Sequence, residues 1–176
     1  MRLFAAIRIP PEIYPAIQSA AQPLDGALGV KLLPPDNWHL TLRFFGELDG
    51  QKAREVQQAL EAVRFSPFPI ALFGAGAYPS VHVPRAIWIG GASPGAVDLA
   101  TKIEEATRFL QLPQENRFSI HLTVARAPKS VADIEDFVDH THNVAEFSAS
   151  SFCLMGSRLL PQGAVYQVIK ECPAHL

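Results

Sequence analysis

The chain has 176 residues, 48% of them hydrophobic, and a formal net charge of -2 at pH 7. That length and apolar content suit one compact domain or two closely packed lobes with a substantial core. The charge excludes a general basic field for coating long nucleic acid, so any nucleic-acid contact has to be local, at an end or a single nucleotide.

The only cysteines are Cys153 and Cys172, far apart and without Cys-x-x-Cys spacing. This argues against a zinc ribbon or a redox pair and fits two free thiols in a reducing cytosol. The opening ten residues are too short and too interrupted for a signal-peptide core, and no segment approaches the apolar length of a membrane span. A soluble, cytoplasmic protein is expected.

In chain order, residues 3–9 read as a buried strand, stopped by Pro10-Pro11. Residues 12–21 form a predicted helix, with Ile13, Ala16, Ile17 and Ala20 on one side and Pro15 tolerated only early. Residues 30–33 suggest a short strand. Pro34-Pro35-Asp36-Asn37 is a turn delivering the chain into the strand that starts at Trp38-His39. Asp49 caps a helix to about Val63, with Ala53, Val56, Leu60 and Val63 at helical spacing. Residues 68–73 read as a strand, 74–80 as a turn-rich loop and 85–89 as a strand. Ser93 as N-cap and Pro94 at the first helical position open a second long helix. It runs to about Leu110, with Val97, Ala100, Ile103, Thr107 and Leu110 inward. Residues 118–126 form a further strand, 131–140 a shorter helix, and 147–155 and 164–170 two last strands joined by Pro161-Gln162-Gly163. This irregular alternation, with hairpins at the end, indicates an α+β fold.

Two stretches resemble one another: Trp38-His39-Leu40-Thr41-Leu42-Arg43-Phe44-Phe45-Gly46 and Phe118-Ser119-Ile120-His121-Leu122-Thr123-Val124-Ala125-Arg126. In a strand, alternate side chains point to opposite faces. His39 and Thr41 therefore share a face, as do His121 and Thr123, while Leu40, Leu42, Ile120, Leu122 and Val124 face a core. One His-x-Thr alone reads as a half-buried strand histidine. Two copies suit phosphoryl chemistry: a neutral imidazole takes a proton from the attacking oxygen, a protonated one supplies a proton to the leaving oxygen, and hydroxyls donate to the non-bridging phosphate oxygens.

Arg126 offers a guanidinium matched to phosphate in charge and shape. Strict alternation turns it away from His121, so it reaches the site only if the strand twists, bulges or ends after Thr123. Phe44 has the same offset from His39 and meets the same difficulty. Phe45 has the parity of His39, and either ring can stack on a base or belong to the core. Arg43, also of His39 parity, reads as a second phosphate contact or a solvated strand arginine. His82, His140, His142 and His175 read as exposed. No compact His/Cys/carboxylate cluster marks a metal site, and no Gly-x-x-x-x-Gly-Lys loop marks ATP use, so neither metal nor cofactor is expected.

With both motifs in view, the chain resembles the two-histidine phosphoesterases, and among them the bacterial and archaeal RNA 2′,3′-cyclic phosphodiesterases, historically called 2′-5′ RNA ligases. The residues carrying the likeness are His39 to Gly46 and Phe118 to Arg126, with Arg2-Leu3-Phe4-Ala5-Ala6-Ile7 and the Trp88 and Tyr166 strands as further family-like positions. Ile120 stands where the family usually has proline. The resemblance implies a bilobed domain over residues 1–176, with two antiparallel sheets related by a pseudo-twofold axis, helices outside and a cleft between. It implies metal-independent opening of a ribose 2′,3′-cyclic phosphate, on RNA 3′ ends or small nucleotides, to a 2′-phosphate. By the same resemblance His121 activates water and His39 protonates the departing 3′ oxygen. Thr41, Thr123 and Arg126 hold the phosphate, and Phe44 stacks the terminal base. The reverse acid–base assignment is chemically possible. Alternatives are the reverse reaction, 2′-5′ ligation, and a nucleotide-binding module without turnover. A monomer is expected.

Overall fold

The computed structural model describes residues 2–113, 118–127, 133–160 and 163–175. In chain order these form β1 (Arg2–Arg8), α1 (Tyr14–Ala21), β2 (Lys31–Leu32), β3 (His39–Glu47), α2 (Gly50–Glu61), β4 (Phe68–Ser80), β5 (Val83–Ala92), α3 (Pro94–Ala106), β6 (His121–Arg126), α4 (Glu135–His140), β7 (Asn143–Ala149), β8 (Ser151–Leu160) and β9 (Gly163–Pro173). The fold is α+β, as expected, and every strand pairing is antiparallel.

The strands run in the order β7-β4-β5-β6-β3-β1-β8-β9, with β2 added beside β6. Two halves are evident, β3-β1-β8-β9 and β6-β5-β4-β7. In each, the strand carrying His-x-Thr lies at the inner edge. The halves are stitched into one nine-stranded sheet by a single residue pair, Leu40 with Leu122. Beyond that pair β3 leaves β6, and β2 takes over its edge, pairing Lys31 with Arg126 and Leu32 with Ala125. Residues of both halves line one cleft on either side of this seam.

The main core lies behind the seam. Leu40 and Leu122 are 1% and 0% exposed and pack in one cluster with Ile17 of α1, Val56 and Leu60 of α2, Leu99 and Ile103 of α3 and Phe137 of α4. The helices thus cover the face opposite the histidines. Both long helices start as their sequences direct: the Asp49 side chain accepts from the Lys52 amide at 2.8 Å, and Ser93 Oγ accepts from the Ala96 amide at 3.2 Å.

Several boundaries differ from expectation. Residues 74–80 continue β4 rather than forming a loop: a bulge in the β4–β5 pairing after Leu72, with Gly74 at φ +68°, absorbs the irregularity that suggested a turn. Residues 143–160 form two strands, β7 and β8, parted at Ser150, rather than one over 147–155. The first helix becomes α-helical only at Tyr14, after a 3₁₀ turn over Pro11–Ile13. The second long helix ends at Ala106 with a 3₁₀ turn over Arg108–Leu110. Its inward face is Ala96, Leu99, Ala100 and Ile103, and Val97 points out. The strand expected from Phe118 begins at His121. Of the predicted helix over 131–140, Val131 and Ala132 fall outside the described residues, as do Pro161 and Gln162 of the last turn; the helix is seen from Glu135.

Candidate active-site cleft

The seam sets the site geometry. In an antiparallel register built on Leu40 opposite Leu122, His39 lies across from Thr123 and Thr41 across from His121. All four have the parity opposite to the buried leucines, so they face away from the helices. Continued one residue either way, the register sets each histidine position opposite the other strand's threonine position. All four line one cleft of about 1170 Å³.

The two imidazoles are held alike. Nδ1 of His39 donates to the Asn37 carbonyl at 2.8 Å, and Nδ1 of His121 donates to the Ser119 carbonyl at 3.0 Å. Each partner lies two residues upstream. A carbonyl only accepts, so Nδ1 carries the hydrogen in both rings and Nε2 is left for acid–base work.

Their surroundings differ. His39 is half-buried, with the Phe4 ring centroid 5.0 Å away and Tyr166 edge-on at 4.8 Å. Burial lowers its pKa below the ordinary imidazole value. The bond to the Asn37 carbonyl opposes this shift, and electrostatic repulsion from the neighbouring His121 and Arg126 adds to the lowering. His121 is exposed.

Phe44 and Arg126 both reach the cleft, for the reason the strand pattern required. The β1–β3 register slips between Ala5–Arg43 and Ala6–Thr41, leaving Leu42 unpaired with β1. The β5–β6 register slips between Ile87–Ala125 and Trp88–Thr123, leaving Val124 unpaired with β5. Each bulge reverses the parity beyond it. Phe44 is 57% exposed in the cleft while Phe45 turns inward to 2%. Arg126 lies on the cleft wall and Ala125 is buried. The Val124 carbonyl at the second bulge is taken by the Leu33 amide at 2.8 Å.

The same bulge removes Arg43 from the site. It is neither a phosphate contact nor a solvated strand residue. Its side chain is 7% exposed, pairs with Glu104 of α3 at 3.2 Å, and donates to the Pro113 carbonyl at 3.2 Å. Without a bulge, parity had placed it with His39.

Several cleft residues carried no assigned role in the sequence. Trp88 and Tyr166 line the walls, and Arg2, Glu47 and Arg158 stand on the side of β1, β3 and β8. Arg2, Arg126 and Arg158 against Glu47 make the cleft locally positive in a chain of net charge -2. Asn37 and Ser119 act through backbone carbonyls, which any residue supplies, so their identities give no signal. His82 is exposed at the β4–β5 turn, and His140, His142 and His175 are exposed as expected. Among the described residues no three His, Cys, Asp or Glu side chains come together as a metal site, and no helix is long and apolar enough to cross a membrane. Cys153 and Cys172 are buried and unpaired.

The chain is similar to known proteins over its full length. Residues 7–88 match the family model described as LigT like Phosphoesterase. The RNA 2′,3′-cyclic phosphodiesterase of Archaeoglobus fulgidus is 32% identical, covering 97% of this chain and 98% of that protein. The RNA 2′,3′-cyclic phosphodiesterase of Methanocaldococcus jannaschii is also 32% identical, covering 97% and 99%. The crystal structure of TT0787 of Thermus thermophilus matches with TM-score 0.81 at 26% identity, covering 98% of this chain and 97% of that one. Escherichia coli LigT complexed with 3′-AMP has the same fold, with TM-score 0.82 at 24% identity, covering 99% and 98%.

Proposed function

The chain belongs to the LigT-like phosphoesterase family, and on that premise we propose that it hydrolyses the 2′,3′-cyclic phosphate at an RNA 3′ end to a 2′-phosphate. The observation that carries this reading is the pairing of the histidines: two imidazoles from different halves of the sheet, each with Nδ1 on the carbonyl two residues upstream, line one cleft together with Thr41 and Thr123.

The reaction follows from that arrangement. His121 Nε2 takes a proton from a water whose oxygen attacks phosphorus. The bond from phosphorus to O3′ breaks, and His39 Nε2 gives its proton to O3′. A 2′-phosphate monoester and a free 3′-hydroxyl result. Thr41 and Thr123 donate to the non-bridging oxygens, and the Arg126 fork neutralises their charge. Phe44 stacks the terminal base. The lowered pKa of His39 bears on its part: once protonated it is a stronger acid than ordinary imidazolium and yields its proton readily to O3′. The anionic substrate offsets the positive field of Arg126 and so favours that proton on His39.

This reading takes residues 1–176 as one catalytic unit, since neither half holds both histidines. It asks nothing of a metal. The test is turnover of uridine 2′,3′-cyclic phosphate in EDTA. Wild type should yield the 2′-phosphate, and His39→Ala and His121→Ala should each lose about 10²- to 10⁴-fold in rate. A near-normal rate in either variant, or loss of wild-type activity on chelation, contradicts it.

A further inference from the structure

The cleft is larger than one nucleotide requires. Its volume of about 1170 Å³ exceeds the roughly 300–1,000 Å³ of ordinary small-ligand pockets. One wall of it, over β5 and β4, carries Phe73, Tyr78, Ala86 and Trp88.

That wall is built around Trp88. Its indole lies along the sheet on a bed of glycines. A Cβ at Gly76 would meet the ring at 2.5 Å, and one at Gly90 would meet it at 3.2 Å. Gly76 pairs with Trp88, which pairs with Thr123. The indole therefore starts one strand from the proposed phosphate site. The adjoining row runs Arg126, Ala86, Tyr78. Ala86 is small, so a gap over it separates the guanidinium from the Tyr78 ring. Two strand spacings, about 10 Å, part the Cα atoms of Arg126 and Tyr78. Tyr78 is 70% exposed and lines the cleft, as does Phe73 at 43%. Large aromatic groups left open beside a phosphate-binding residue are what single-stranded nucleic acid uses: the bases stack without sequence preference while cations follow the backbone.

We propose that Trp88 and Tyr78 form a second base subsite, holding the nucleotide immediately 5′ of the reacting one. The preferred substrate is then a single-stranded RNA end of at least two nucleotides rather than a free cyclic mononucleotide. This rests on the hydrolytic reading above and adds to it a length preference and the residues that produce it.

The test compares kcat/KM on uridine 2′,3′-cyclic phosphate with that on the dinucleotide UpU ending in the same cyclic phosphate. Wild type should favour the dinucleotide. Tyr78→Ala should lower the dinucleotide-to-mononucleotide ratio by about 5- to 150-fold, the usual range for one stacked base. Gly76→Ala, which pushes the indole off its bed, should lower the same ratio without substituting Trp88 itself. Phe44→Ala should slow both substrates alike and leave the ratio intact. Equal wild-type rates on the two substrates, or a ratio unchanged in Tyr78→Ala, overturns the subsite and leaves the hydrolytic reading standing. No turnover of either substrate by wild type overturns both.

Discussion

Phe44 and Arg126 occupy equivalent places in the two halves of the molecule. Each lies five positions beyond its half's histidine, just past a one-residue bulge, on the cleft side of an inner strand. The scaffold is duplicated, but the two positions present different chemistry: an aromatic face in one half, a charged fork in the other.

That difference predicts a kinetic split. Arg126→Lys keeps the charge and loses the fork, so it should lower kcat/KM by about 10- to 150-fold, the worth of a hydrogen bond to a charged group. Phe44→Ala should raise KM by about 5- to 150-fold with little change in kcat, because stacking holds ground state and transition state alike. Steady-state kinetics on a cyclic mononucleotide measures both. A wild-type KM in Phe44→Ala leaves that ring without a part in binding.

The division of labour between the histidines predicts selective rescue. A 4-nitrophenyl phosphodiester has a leaving oxygen that departs without a proton. If His39 is the acid, His39→Ala should recover most of its lost rate on such a substrate, while His121→Ala stays about 10²- to 10⁴-fold down. Rescue of His121→Ala instead would reverse the roles.

The lowered pKa of His39 predicts two pH effects. As the acid, His39 must be protonated, so kcat/KM should fall as pH rises through a value below the ordinary 6.5. The limb in kcat should lie at higher pH, because bound substrate adds negative charge beside the ring. Folding is linked to the same shift. As pH drops below 6.5 the unfolded chain takes up the proton first, so this site destabilises the fold in acid. Urea titrations should show His39→Gln gaining on wild type between pH 8 and pH 5; an unchanged difference excludes the linkage.

Most of the site was legible because strand parity is a strong constraint. Parity put His39 with Thr41 and His121 with Thr123, and Leu40 and Leu122 behind them, all as found. It failed at one residue step. Strict alternation alone sets Arg43 and Phe45 on the cleft side and Phe44 and Arg126 against it; only the family resemblance put Phe44 and Arg126 in the site, because a bulge depends on neighbouring strands and leaves no mark in the strand's own pattern. The loop expected over 74–80 failed likewise: Gly74 and Gly76 suggested a turn, whereas Gly74 sits at a bulge and Gly76 makes room for Trp88. The seam between Leu40 and Leu122 was beyond reach, since strand order and register depend on contacts distant in sequence.

Arg43 and Glu104 predict an asymmetric cost. The arginine side chain is 7% exposed and the glutamate 32%. Among the described residues, Glu104→Ala leaves the buried guanidinium with the Pro113 carbonyl alone, which should cost about 3–5 kcal/mol. Arg43→Met leaves a carboxylate that rehydrates and keeps the stem's packing, so it should cost less. Urea unfolding measures both. An order of stability with Arg43→Met the weaker fold would show that the glutamate does not compensate the buried charge.

Gly91 predicts a backbone limit on the wall behind the cleft. A Cβ there would lie 2.3 Å from the Ala71 carbonyl oxygen and 3.1 Å from Ile120 Cγ2. The first is a main-chain atom of the neighbouring strand and cannot turn aside, so β4 and β5 must part. Gly91→Ala should cost about 1–3 kcal/mol, or roughly 2–12 °C in melting temperature for a chain of this size. Gly50→Ala is the contrast: its Cβ would meet only the Arg54 guanidinium at 3.7 Å, at the start of α2. Calorimetry should leave that variant near wild type. Equal melting temperatures for the two would mean that the β4–β5 pairing yields more than its geometry allows.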